Sequence, residues 1–408
     1  MEFLIRFVQI HETFRRPEIE ALAVVEGIHV EFLTYAESSP YSVVRIKNEA
    51  AAKALIKRSI SSKGIYELWG SGTTYEQLHA DLRRRTSSQW DKCQSCTFRF
   101  DFDAFSGSRT LAEQKTIIES FKYMGFNGAI KMKNAEQTFT IFEEYVFGDP
   151  TLRKVYLGRF VGESSRRILN DYTLKKRDYI NTTSMDSELA LLTANLSLAG
   201  PDKIFYDPFV GTGSFPIACS HFGARTMGSD IDGRMVRGKN GKDIRTSFKQ
   251  YGLLDKYIDG FISDLTHSPL RQDRWLDGII GDPPYGVREG LKVLGTKDGS
   301  RKEAVFINGE AAHLQDKYIP PKKAYSFEAM LQDLLEFSAQ MLVDDGRLSL
   351  WMPTANDEDV ELGIPSHPAL ALKACKTQYH HFSLKMLIGY APKYFEGFKA
   401  PTTALPNP

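Results

Sequence analysis

The stretch Lys203-Ile204-Phe205-Tyr206, followed at once by Asp207-Pro208-Phe209-Val210-Gly211-Thr212-Gly213-Ser214, constrains the fold more than any other part of the chain. A short apolar run reads as a buried strand, and the residues after Ser214 read as a helix reaching about His221, so the glycines mark a strand–loop–helix unit. Without a Cβ, Gly211 and Gly213 let the backbone turn tightly and approach a ligand. Ligands of such units sit at the carboxyl ends of parallel strands. Two phosphate-binding patterns are excluded. Pro216 stands where G-x-G-x-x-G needs its third glycine, and the lysine of a phosphate loop is missing. The loop opens with an acid, Asp207, which would repel a pyrophosphate and suits a ligand with a cationic end.

The surroundings repeat the same unit. An amphipathic helix over Met185–Leu198 comes first, and strands at Ala224–Ser229, Gly260–Ile262 and Gly278–Gly281 then alternate with helices. A helix over Phe327–Leu342 leads into a strand at Arg347–Trp351. Alternating strands and helices imply an α/β domain with a parallel sheet covered by helices. Asp230, in Gly228-Ser229-Asp230-Ile231-Asp232, ends the next strand one βαβ step after Asp207, where an acid accepts hydrogen bonds from ribose hydroxyls. Asp264 ends the third strand and is placed to meet an adenine amino group. One acid at a strand end is commonplace. Three at successive strand ends describe a site for a nucleoside carrying a positive charge, such as the amino and sulfonium groups of S-adenosylmethionine.

The fourth strand runs into Asp282-Pro283-Pro284-Tyr285-Gly286. Consecutive prolines fix φ near about −65° and stiffen the loop. The amino group of a nucleobase is a poor nucleophile because its lone pair is delocalised into the ring. Hydrogen bonds to Asp282 and to the Pro283 carbonyl would localise that lone pair, and Tyr285 would stack on the base, a contact worth ~1–3 kcal/mol. A rigid turn with a helix-capping aspartate is the structural alternative, weakened by the acids upstream.

The N-terminal part has a different character. Strands are expected at Glu2–Gln9, Ser42–Ile46, Thr97–Phe102, Thr138–Tyr145 and Val155–Phe160, with helices at Arg16–Glu26, Asn48–Ser59, Tyr75–Arg85 and Leu111–Met124. These make two α+β units, residues 1–62 and 63–165, with a polar, basic linker over 166–184 before the α/β domain at 185–400. Net charge is only +1, yet residues 1–180 hold 27 Lys+Arg against 23 Asp+Glu. Basic clusters stand at Arg83-Arg84-Arg85, Arg166-Arg167 and Lys175-Lys176-Arg177, each either a solvated face or a nucleic-acid contact. Four cysteines are too few for a disulfide framework, and Cys93-x-x-Cys96 lacks the two further ligands zinc requires, so reduced thiols and no metal are expected. No apolar run suits a membrane span and the N-terminus does not read as a signal peptide, so a cytoplasmic or nuclear setting is expected, and the Pro-rich 401–408 reads as a disordered tail.

Asp207-Pro-Phe-x-Gly-x-Gly, the Gly-x-Asp-x-Asp segment and the Asp-Pro-Pro-Tyr loop together resemble class I amino-methyltransferases. The longer string Asp282-Pro-Pro-Tyr-Gly-Val-Arg-Glu-Gly290, with Asn181-Thr182-Thr183-Ser184-Met185-Asp186 before a helix, resembles the eukaryotic tRNA guanosine-10 N2-methyltransferase family. The resemblance implies a Rossmann-like class I methyltransferase sheet preceded by an α+β ferredoxin-like domain and a THUMP domain that binds tRNA. It implies S-adenosylmethionine as cofactor, held by Asp207, Phe209, Gly211, Gly213, Asp230, Asp232 and Asp264, with Thr183 and Ser184 against its methionine end. It implies Asp282, Pro283, Pro284 and Tyr285 as the catalytic loop, and a small zinc-binding activator protein as partner. The loop alone leaves DNA adenine or a protein amide open as substrate, and a non-catalytic tRNA-binding subunit is the reading from another class. The insertion over Leu291–Lys323 is polar and basic, and suits either a tRNA contact or a disordered loop.

Overall fold

A computed structural model describes residues 1–285, 291–295, 306–312, 321–353, 363–378 and 384–392. The Val287-Arg288-Glu289-Gly290 motif and the Pro-rich 401–408 lie outside the described residues. The chain divides into two units, Met1–Ile168 and Leu169–Pro408.

Unit 1 runs β1 (Glu2–Phe7), α1 (Arg15–Glu26), β2 (Glu31–Thr34), β3 (Tyr41–Arg45), α2 (Glu49–Lys57), β4 (Ser62–Gly72), α3 (Tyr75–Thr86), β5 (Phe98–Phe105), α4 (Leu111–Glu119), β6 (Gln137–Tyr145) and β7 (Leu152–Glu163). All seven strands form one sheet, in the order β2-β3-β1-β4-β7-β6-β5. β4 begins where the sequence suggests a boundary between two α+β units, and it pairs with β1 on one side and β7 on the other. One continuous sheet therefore carries both. Sequence reading misses β4 because Gly64, Gly70 and Gly72 interrupt it, and glycine in a strand reads as a turn. Close approach explains Gly70, where a Cβ would stand 3.2 Å from the Leu78 side chain and 3.1 Å from the Leu82 backbone of α3. The Glu18 carboxylate, fully buried, accepts from Ser59 Oγ, Ser61 Oγ and the Ile60 and Ser61 backbone.

Unit 2 runs α5 (Leu169–Tyr172), α6 (Ser187–Leu196), β8 (Ile204–Asp207), α7 (Ser214–His221), β9 (Arg225–Asp230), α8 (Gly233–Arg237), α9 (Ile244–Gln250), β10 (Tyr257–Ile262) and β11 (Leu276–Gly281). It continues through β12 (Lys292–Leu294), β13 (Phe306–Ile307), β14 (Glu310–Ala311), β15 (Lys322–Ala324), α10 (Phe327–Met341), β16 (Leu342–Pro353), β17 (Ala371–Gln378) and β18 (Leu384–Tyr390). The main sheet has the order β10-β9-β8-β11-β16-β18-β17. Its first five strands are parallel, and β18 runs antiparallel to β16 and β17. Leu276, Ile279, Leu348 and Leu350 from the sheet bury themselves against Met330, Leu331 and Leu334 of α10. A second cluster, Val210, Ile217, Ile244 and Phe248, is joined by Tyr179. Residues 169–184, expected as part of a linker, belong to unit 2, and Arg177 and Tyr179 in that segment are buried.

Candidate active site

Parallel pairing brings the carboxyl ends of β8, β9, β10 and β11 side by side, and each ends at or just before an aspartate: Asp207, Asp230, Asp264 and Asp282. The sequence places the acids at strand ends; the sheet order sets them next to one another.

The glycine loop is held on both sides. Val210 N donates to Ser229 O at 2.8 Å and Gly211 N to Asp230 Oδ2 at 3.0 Å, which ties the loop to the end of β9. Gly211 and Gly213 have φ of 50° and 80°, the left-handed region that favours glycine. At Gly213 a Cβ would stand 2.9 Å from Ile244 Cγ2.

Asp207 is 2% exposed, and its Oδ1 accepts from Phe209 N at 2.9 Å. Burial pushes its carboxyl well above the ordinary range, and the neighbouring Asp230 and Asp282 push the same way. Burial also raises Asp230, whose Oδ1 accepts from Asp232 N at 2.8 Å. Around the loop, then, lie carboxyl groups that repel one another, and a cationic ligand would relieve that repulsion.

The remaining expected residues are placed less uniformly. Asp232 caps α8, and its carboxylate is gripped by Arg234 Nε and Nη2, with a shortest distance of 2.7 Å. The Arg234 hydrogen bond holds the Asp232 carboxyl below the usual range. Asp264 is 5% exposed, and Oδ1 accepts from His267 N at 2.7 Å and Thr266 Oγ1 at 3.0 Å. Its Oδ2 accepts from Leu294 N at 2.8 Å, so this acid anchors β12 as well as facing the β10 end of the site. Ser184 Oγ meets Thr212 Oγ1 of the glycine loop at 2.8 Å, while Thr183 is exposed.

In the Asp282–Tyr285 loop, Pro283 is buried and Pro284 exposed. The Tyr285 hydroxyl donates to Asp282 Oδ1, and its ring meets Phe327 at the start of α10 edge-on, centroids 6.4 Å apart. Burial pushes the Asp282 carboxyl up to about 6, against the Tyr285 hydrogen bond, which lowers it.

Sequence reasoning missed Arg177. It groups with Lys175 and Lys176 as a basic cluster, yet it is 8% exposed and lies against the glycine loop. Its guanidinium donates to the Thr212 carbonyl and, at 2.9 Å, to Ser214 Oγ. Burial pulls it down to about 10. A polar segment before a helix carries no signal of burial; only the fold supplies it. The Arg83-Arg84-Arg85 cluster is also committed: Arg83 lies over the Tyr123 ring at 4.1 Å, and Arg84 and Arg85 pair with Asp81.

Numbered along the chain, the main sheet of unit 2 reads 3-2-1-4-5-7-6 with only its seventh strand reversed. That arrangement, with acids and a glycine loop at the carboxyl end, defines a class I methyltransferase domain. Comparison with known proteins narrows the class. Residues 1–166 match the Tmrp11 THUMP N-terminal domain, and residues 175–295 the RMKL-like methyltransferase domain. The chain is 43% identical to the tRNA (guanine(10)-N(2))-methyltransferase of Saccharomyces cerevisiae, across 95% of this chain and 92% of that one. It is 32% identical to the human tRNA (guanine(10)-N(2))-methyltransferase TRMT11, across 97% of this chain and 89% of that one. Among solved structures, TrmN from Thermus thermophilus is similar at 17% identity and a TM-score of 0.46, covering 96% of this chain and 100% of that chain. The chain belongs to the tRNA (guanine(10)-N2)-methyltransferase family.

Proposed function

We propose that this chain transfers a methyl group from S-adenosylmethionine to the exocyclic N2 amino group of guanosine 10 in tRNA. The observation that carries the cofactor is the buried carboxylate Asp207, raised by burial and by Asp230 and Asp282 beside a glycine loop. A ligand bearing an ammonium and a sulfonium supplies the positive charge these acids call for, and its ribose hydroxyls suit Asp230. When bound, the cofactor supplies an electrophilic methyl group.

The chain's residues do the rest. Asp282 and the Pro283 carbonyl accept the two N–H groups of the base and turn its lone pair outward. Tyr285 occupies Oδ1 of Asp282, which leaves Oδ2 to the incoming amino group. The tyrosine ring offers a stacking surface beside Phe327. Holding acceptor and donor in line supplies much of the rate. Unit 1, through its THUMP match, is the part that holds tRNA. The family resemblance adds a small zinc-binding activator, and β10 favours that reading as an edge strand of the sheet, exposing Ile258 and Ile262. A cytoplasmic setting accords with this substrate.

The test incubates the chain, with and without the activator, with methyl-labelled cofactor and unmodified tRNA, followed by nucleoside analysis. Label in N2-methylguanosine at position 10 is expected. Label in adenosine, or none under either condition, overturns the reading.

A further inference from the structure

We propose that the stem formed by β12 and β15 completes the nucleoside end of the cofactor site, with Lys322 as a positioning residue for Asp230. This rests on the cofactor reading above and deepens it.

The insertion leaves the catalytic loop, and its described part includes an antiparallel stem. β12 pairs with β15 through Lys292–Ala324, Val293–Lys323 and Leu294–Lys322. Two further backbone bonds brace it, Gly295 N to Pro321 O at 3.0 Å and Tyr325 N to Leu291 O at 2.9 Å. Leu291 and Val293 are buried, so the stem is packed down rather than projecting.

One rung of this stem touches both acid-bearing strand ends. Leu294 N donates to Asp264 Oδ2 at 2.8 Å, beyond β10. Its cross-strand partner Lys322 donates from Nζ to Ile231 O at 3.2 Å, directly after Asp230 at the end of β9. The Lys322 charge acts favourably on the carboxylates of Asp230 and Asp232. Asp230 is half-buried beside Asp207 and Asp232, so a fixed ammonium at this point favours the ionised, hydrogen-bond-accepting form that ribose hydroxyls need.

The same stem is chained to the catalytic loop. Its first strand follows that loop in sequence, and β15 leads within a few residues into Phe327, whose ring meets Tyr285. The nucleoside acids and the base-binding tyrosine are thus bridged by one short element. A basic insertion invites assignment to tRNA. Lys322 faces the other way, onto the acids of the cofactor pocket.

Calorimetric titration of the full chain with S-adenosylhomocysteine tests this. Failure of the unaltered chain to bind, with or without the activator, overturns the cofactor reading and this inference with it. With the unaltered chain binding, Lys322→Met is expected to weaken affinity on the order of tenfold, the scale of one partly exposed charged hydrogen bond. Lys322→Arg should recover most of that loss, and the loss should shrink when Asp230→Asn is already present, because the two act as a unit. Affinity for tRNA, measured in parallel, should not change. Unaltered S-adenosylhomocysteine affinity in Lys322→Met, an arginine variant no better than methionine, or a loss confined to tRNA binding each overturns the proposal.

Discussion

Asp282 carries opposing demands. In its proposed role, accepting an N–H from the base, it must be ionised, yet burial pushes its carboxyl up to about 6 from an ordinary 3.8. The rate of methyl transfer should therefore fall about tenfold per pH unit as pH drops below about 6. Stability runs in the opposite direction. The folded state holds this proton more tightly than the unfolded chain, so the cost of the buried charge is fully present above about 6 and is relieved as pH falls toward 3.8. Asp282→Asn removes that cost while keeping an acceptor for the Tyr285 hydroxyl. At neutral pH the variant should lose at least about a hundredfold in kcat. It should unfold at a urea concentration no lower than the parent, gaining on the order of 1–2 kcal/mol. A pH–rate profile of the parent and urea melts of both proteins check this, and a variant that is both inactive and destabilised would show that Asp282 serves folding rather than chemistry.

At the scale of the element, the glycine loop separates two roles that the sequence writes with one letter. Gly211 and Gly213 both take positive φ, but a Cβ at Gly211 meets nothing closer than 3.8 Å, while at Gly213 it meets Ile244 at 2.9 Å. Gly211→Ala should cost about 1 kcal/mol from the backbone alone, and Gly213→Ala about 2–4 kcal/mol, with the overpacking added. Equal losses in chemical denaturation would mean that the loop relaxes around Ile244. This is also where legibility divides. Asp207, Asp230 and Asp282 were readable because strand ends and glycine turns leave short, local patterns. Arg177 and Lys322 were not, since each acts on the site from a polar stretch whose burial or direction depends on distant packing. Asp232 was readable as an acid but not as a partner of Arg234, because a carboxylate's nearest cation is set by helix geometry. β4 was hidden by its own glycines: Gly70 and Gly72 serve close packing against α3, and Gly64 lies against β7, rather than making a turn.

Among the described residues, each hydrophobic cluster draws on one unit. The clusters built on Phe3 and Ile5, on Trp69 and Phe139, and on Leu4 and Phe142 draw only on unit 1. Those built on Leu276 and Leu334 and on Val210 and Phe248 draw only on unit 2. Hydrophobic burial is the dominant source of cooperativity, so clusters built within one unit each predict two unfolding events rather than one. The proposed cofactor site belongs wholly to unit 2, because Asp207, Asp230, Asp264 and Asp282 all follow Leu169. A ligand that binds only the folded form of one unit stabilises that unit by mass action, about 2.7 kcal/mol at a hundredfold excess over Kd. For a unit of this size that is a rise of roughly 5–10 °C. Calorimetric melting of the full chain should show two transitions, with S-adenosylhomocysteine raising one and leaving the other in place. Gly213→Ala should lower the same transition that the ligand raises, since both act on the glycine loop. A single transition that moves as a whole with the ligand would mean that the units melt together, and that ligand binding to unit 2 is felt by unit 1, the part proposed to hold tRNA.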